Sequence, residues 1–161
     1  MSVHSVVNDL KKNANIKYAD LVSLKRKKSI VERVKITSSS DVGRLAMPLF
    51  DDSIDIHESM FLLLLNRANV VIGVAELSKG GISGTVVDVR MIAKYALDVL
   101  ASGCIMVHNH PSGNNQPSKA DKDITSKTKD ALKLFDVALL DHVIVMPDGG
   151  CFSFADDGLL Y

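Results

Sequence analysis

Only two cysteines, Cys104 and Cys151, occur in 161 residues, and they stand far apart. That spacing makes neither a disulfide framework nor a cysteine-type zinc site, and it suits reduced thiols in a cytoplasmic protein. No run of about 18 apolar residues occurs, so no membrane-spanning helix is expected. The first residues hold no basic segment followed by an apolar stretch, so no secretory signal is expected either. Internal repeats and long low-complexity tracts are missing, which leaves repeat architectures without support. Gly80, Gly81 and Gly84 do not fall into phosphate-loop spacing, so nucleotide binding has no support there.

What remains is an ordinary globular composition, 47% hydrophobic and 24% charged, in a length that suits one core. Net charge is zero but unevenly spread. Residues 11–35 hold nine Lys or Arg against Asp20 and Glu32, a local charge of +7 that the remainder balances with −7. A basic arm on an acidic body could touch the phosphates of DNA. The same composition also describes a solvated, partly disordered tail.

Residues 1–28 read as a leader with one short helix. Residues 29–37 mix β-branched and charged residues near period two and read as a first strand. Ser38, Ser39, Ser40 and Asp41 offer N-caps for a helix through about Phe50. Two apolar runs, 60–65 and 70–77, flank a tight turn at 66–69 and predict a hairpin buried on both faces. Residues 82–87 read as a further strand. Asp88 caps a predicted helix that runs to about Ser102 and is ended by Gly103. Residues 104–107 read as a central strand that delivers His108. Ser118 caps a helix to about Phe135, with Ile124, Ala131, Leu132 and Phe135 on one side. Strands at 137–146 and 151–154 flank the turn 147–150, and a short helical turn closes the chain. The expected class is α/β: a mixed sheet flanked by helices.

The chemistry concentrates in His108-Asn-His-Pro-Ser-Gly-Asn-Asn-Gln-Pro-Ser-Lys-Ala-Asp121. On an extended chain His108 and His110 point to one face and Asn109 to the other. Pro111 favours that extended geometry at His110. The loop can turn the chain back so that Asp121, in the first turn of the next helix, reaches the same ion. Two imidazoles and a carboxylate suit a zinc with a fourth position for water, whose pKa the metal lowers to about 7. Such a centre also needs a general base. Glu32, Glu58 and Glu76 are the only glutamates, and position gives Glu58 the lead. A plainer reading competes: Ser118 and Asp121 match a helix capping box. The positive end of a helix also disfavours a cation, so Asp121 would have to serve both the helix start and the metal. The consecutive letters His-Asn-His do not match the ββα-metal nucleases, which spread those residues over a long element. His142, in a strand pattern, reads as a hydrogen-bonded structural histidine, and Cys104 as a small core residue.

Glu, His-x-His, seven residues, Ser, two residues and Asp is the signature of the JAB/MPN (JAMM) metalloprotease superfamily. The chain resembles its RadC-like branch most closely, in His108-Asn-His-Pro-Ser-Gly113, Pro117-Ser118, Leu139-Leu-Asp-His142 and Phe152-Ser-Phe-Ala155. The likeness covers roughly residues 36–160, leaving 1–35 as a basic leader and 36–161 as the JAB/MPN domain. It implies a curved mixed sheet of the cytidine-deaminase-like kind. It also implies zinc on His108, His110 and Asp121, Ser118 as an oxyanion-side donor and Glu58 as the base. RadC-type proteins often carry an N-terminal helix-hairpin-helix domain for which this chain has no room. The DNA-repair label of that branch is historical. The implied activity is hydrolysis of peptide or isopeptide bonds in a protein or peptide substrate, and the alternative is a DNA-associated accessory protein acting through residues 11–35.

Overall fold

Alternation along the central strands sets the architecture. In the computed structural model, residues 33–50, 53–80 and 87–160 are described. Among them, five strands form one sheet: β1 (Ser59–Leu65), β2 (Val71–Lys79), β3 (Gly103–Asn109), β4 (Ala138–Val145) and β5 (Cys151–Ser153). Their order is β2-β1-β3-β4-β5, antiparallel throughout except for the parallel pair β3–β4. Three helices cover it: α1 (Ser39–Ala46), α2 (Val89–Asp98) and α3 (Lys119–Lys133). Every residue of β1 and β3 is buried. Met60, Leu62, Leu64, Cys104 and Met106 pack with Ile92, Ala96 and Leu132 of α2 and α3. Their neighbours Phe61, Leu63, Leu65, Ile105 and Val107 pack with Val42 and Ala46 of α1. A strand buried on both faces has no polar phase, which is why residues 60–65 and 104–107 read as continuous apolar runs. The molecule is therefore α/β with a mixed sheet between helices.

Several boundaries differ from those expected. The helix from Ser39 stops at Ala46 and tightens into a 3₁₀ turn at Met47–Leu49. Pro48 has no N–H to continue the α-helical ladder. Residues 29–32 of the predicted 29–37 strand lie outside the described residues, and among 33–37 only Lys35 forms a bridge, to Val70. The hairpin exists, but β2 is an edge strand with Glu76 exposed, not a strand buried on both faces. The strand expected at 82–87 lies outside the described residues except for Val87, which is in no strand. On α3 the buried positions are Thr125, Thr128 and Leu132, while Phe135 is largely exposed.

The helix that begins at Val89 ends at Asp98, before the expected stop at Gly103, which opens β3 instead. Leu100 takes the left-handed conformation (φ 53°), and the Ala101 N–H returns to the Ala96 carbonyl at 2.9 Å. A leucine costs roughly 1–2 kcal/mol in that region, and this one is 84% exposed, so burial offsets little of it. Leu100→Gly should therefore stabilise the domain by up to about 1 kcal/mol after the extra freedom of glycine in the unfolded chain is counted. Urea denaturation of the two proteins measures this, and a lower midpoint for the variant would contradict it.

Candidate metal centre

The C-terminal end of β3 carries two buried polar side chains on opposite faces. His108 follows Met106 onto the side of α2 and α3, and Asn109 follows Val107 onto the side of α1. Each must find hydrogen bonds, because an unsatisfied buried polar group costs about 1–3 kcal/mol. Asn109 Oδ1 accepts from the Ser59 N–H at 2.7 Å, and its Nδ2 donates to the carbonyls of Ile54 and His57 at 2.6 and 2.9 Å. The amide thus ties the segment before β1, which carries Glu58, to the end of β3.

On the other face three side chains converge. His108 Nε2 lies 3.0 Å from His110 Nε2 and 3.3 Å from Asp121 Oδ1, and His110 Nε2 lies 3.6 Å from Asp121 Oδ2. His110 Nδ1 is 2.7 Å from the Asn114 carbonyl, an acceptor only, so Nδ1 donates and neutral His110 offers Nε2 as a lone pair. In a tetrahedral zinc site with bonds of about 2.0–2.1 Å, ligand atoms stand about 3.3–3.4 Å apart. The His108–His110 and His108–Oδ1 distances lie at or just below that value, the 3.6 Å contact of His110 is to the other carboxylate oxygen, and the ligand atoms all lie within 4.8 Å of one another. The cluster of His108, His110 and Asp121 could hold a metal ion.

Asp121 also performs the competing structural role. Its Oδ2 accepts from the Ser118 N–H at 2.7 Å and from the Ser118 hydroxyl at 2.6 Å, and Ser118 Oγ accepts from the Asp121 N–H at 3.1 Å. The full capping box is present, and it leaves Oδ1 as the oxygen turned to His108. The Ser118 hydroxyl, expected as an oxyanion-side donor, is engaged with that carboxylate here.

Met60 pairs with His108 across the antiparallel β1–β3 ladder. Two residues further along the same register, Glu58 comes opposite His110. Glu58, His108, His110, Ser118 and Asp121 line one open groove of about 1010 Å³. Glu76 instead pairs with Phe61, whose side chain packs toward α1, and is exposed on the opposite face of the sheet. Glu32 lies outside the described residues.

His142 on β4 is fully buried and touches the cluster from behind: its Nε2 is 2.8 Å from His108 Nδ1 and its Nδ1 is 2.6 Å from Thr125 Oγ1. The strand pattern marked His142 as hydrogen-bonded but gave no partner. Thr125 carried no signal in a helix that is mostly not buried, and Asn109 none beyond facing away from the histidines.

Burial governs the electrostatics. It pushes the Glu58 carboxyl up, with Asp121 adding to the effect and His110 opposing it. Burial lowers His108 from 6.5 to about 4 and holds His142 well below the usual imidazole range. His110 is raised, chiefly by its contact with Asp121. Burial resists ionisation of Asp121, but His110, His108 and Ser118 together hold it well below the usual carboxylate range.

The fold and this cluster define an α/β domain with a candidate metal centre at the end of a central strand. The profile of the RadC-like JAB domain family matches residues 36–159, so the chain belongs to that family. It is similar to a UPF0758 protein of Flavobacterium johnsoniae, 46% identical over 134 residues, which cover 83% of this chain and 57% of the relative. A UPF0758 protein of Porphyromonas gingivalis is 43% identical over 128 residues, covering 80% and 56% respectively. The matched part of the chain thus spans little more than half the length of these curated relatives.

The imidazole shifts predict how the metal-free protein responds to acid. His108 has a folded-state pKa of about 4 against 6.5 unfolded, and His142 shifts the same way. Between those values the unfolded chain binds protons that the folded chain refuses, so stability falls as pH falls. His110, shifted upward, works in the opposite sense and offsets one of the two. Metal-free protein should lose stability from pH 7 to pH 5, by at most about 1.4 kcal/mol per pH unit for one net proton. Urea midpoints at the two pH values test it, and a higher midpoint at pH 5 would refute the assignment.

Proposed function

We propose that this domain is a metal-dependent hydrolase of peptide or isopeptide bonds, with zinc as the ion. The observation that carries the reading is the convergence of His108, His110 and Asp121, which could together hold a metal ion, in a groove that also holds Glu58. Two imidazoles with one carboxylate match the donor preference of zinc. When bound, such an ion supplies a Lewis acid that polarises a carbonyl and acidifies water to a pKa of about 7.

The residues of the chain supply the rest. Glu58 accepts a proton from the attacking water and returns it to the leaving amide nitrogen. Its raised pKa helps, because a carboxylate that binds protons more tightly is a better base near neutrality. Asn109 holds the backbone on both sides of Glu58, at His57 and Ser59, so the base is set against the histidines. Ser118 keeps Asp121 Oδ2 occupied and Oδ1 directed to the centre. Its hydroxyl lines the groove, where reorientation toward a substrate carbonyl oxygen would make it an oxyanion donor.

The test is an internally quenched peptide library incubated with zinc-loaded protein, with and without a chelator. Cleavage should vanish on chelation and return with added zinc. Glu58→Gln should bind zinc as the wild type does and lose at least about 100-fold in turnover, while Glu76→Gln should cleave normally. Full activity of Glu58→Gln with a dead Glu76→Gln would overturn the assignment of the base.

Contact with DNA through residues 11–35 is a separate proposal, supported by their local charge of +7. Affinity for a mixed-sequence duplex should drop steeply between 50 and 200 mM salt and be largely lost when Lys25, Arg26, Lys27 and Lys28 are changed to Gln. Unchanged binding by that variant would remove the idea.

A further inference from the structure

We propose that Thr125 and His142 set the tautomer of His108, fixing its Nε2 as a lone pair aimed into the centre before any metal arrives. The inference deepens the metal-centre reading by assigning two residues that touch neither the groove nor the ion. It follows from the direction in which protons must point along one chain of hydrogen bonds.

The chain starts at an acceptor that cannot donate. Thr125 Oγ1 lies 2.5 Å from the carbonyl oxygen of Asp121, one helical turn back, so the Thr125 hydroxyl donates to that oxygen. Its oxygen then accepts from His142 Nδ1, 2.6 Å away. The ring nitrogens of His142 bond His108 and Thr125 and no carboxylate, its side chain is fully buried, and its ring stacks on Phe154 at 4.8 Å with planes 19° apart. A neutral ring belongs there, since an unpaired charge is costly to bury. With the proton on Nδ1, His142 Nε2 is an acceptor. His108 Nδ1, 2.8 Å away, must donate to it. Neutral His108 then has no proton on Nε2. The reverse polarity would send the Thr125 hydroxyl to His142 and leave two bare oxygens facing each other at 2.5 Å, which is repulsive.

The ring is also held in place from outside. Asp141 Oδ1 accepts from the backbone N–H groups of His142 and Ala155 at 2.7 and 3.0 Å, and Oδ2 accepts from the Ser153 hydroxyl at 2.7 Å. This buried carboxylate clamps the 153–155 turn, which carries Phe154, against β4. Leu139-Leu-Asp-His142 and Phe152-Ser-Phe-Ala155, two stretches without a part in the groove, thereby acquire one: they form the support behind His108. His142 and Thr125 are positioning residues, since they act only through His108.

A long-range proton–nitrogen correlation spectrum of the histidine rings in metal-free, nitrogen-15-labelled protein tests this directly. His108 should show a protonated Nδ1 and an unprotonated Nε2. Thr125→Val, nearly isosteric, removes the fixed acceptor that orients the chain. It should let His108 populate the other tautomer and should weaken zinc binding about 10–100-fold in competition with a chromophoric chelator. Thr125→Ser, which keeps the hydroxyl, should restore both. A wild-type spectrum with the His108 proton on Nε2 would overturn the proposal, as would Thr125→Val protein with the wild-type spectrum and wild-type zinc affinity. The wild-type spectrum decides the matter even if Thr125→Val does not fold. A protein that shows the expected tautomer but binds no zinc would refute the metal-centre reading and leave this inference standing.

Discussion

The burial of β3 on both faces is the constraint from which the rest of the candidate site follows. A strand inside a sheet and between helix layers can accept polar side chains only where the fold provides partners for them. At its C-terminal end β3 carries two in succession, and alternation sends them to opposite layers. Asn109 resolves its burial by gathering three backbone groups from residues 54–59. His108 resolves its own by meeting His142 on one side and His110 with Asp121 on the other. The two solutions converge functionally, because the backbone that Asn109 gathers is the backbone that carries Glu58. One pair of adjacent residues therefore joins Glu58 to the histidines through the thickness of the sheet.

Asp121 shows how one carboxylate serves two demands that compete in principle. The positive end of a helix repels a cation, and a capping residue would seem committed to the helix alone. Here two donors at the start of α3, the N–H groups of Ser118 and Asp121, are satisfied by the capping box itself, so less bare N–H charge faces the groove. The cap occupies Oδ2 through two donors of Ser118, which fixes the rotation of the carboxylate. With one oxygen held, the other has a defined direction. The capping box and the ligand reading are two uses of the same geometry, and the first makes the second more specific.

Much of this was legible because the informative residues lie close together in sequence. His108 and His110 share one extended segment, and Ser118 and Asp121 share one helix start, so local rules of strand alternation and capping place each pair. Glu58 is different. It stands fifty residues before His108, and only the β1–β3 register brings it opposite His110. The position of Glu76 is likewise settled by topology, because it depends on which side of β1 the next strand joins and on a bulge between Met60 and Phe61. His142 was invisible as a neighbour of His108 for a similar reason. A register shift near Leu140 brings Leu139 and His142 to one face of β4, and simple alternation along that strand would have separated them. The early end of α2 reflects a leucine taking a conformation that sequence rules reserve for glycine, which is why the sequence pattern points to Gly103 instead.

These features together bear on how such a centre can be assembled without the metal driving the fold. Small metal domains often lack structure until the ion binds, because nothing else holds their ligands. In this chain the ligand candidates are anchored by contacts that no ion supplies. His108 stands in a strand buried on both faces, His110 donates to the Asn114 carbonyl, and Asp121 is locked by its cap. The cost of holding their acceptor atoms together is met by two hydrophobic layers, one on each side of the sheet. The ligand candidates are thus fixed from the sheet side, while the groove side is open.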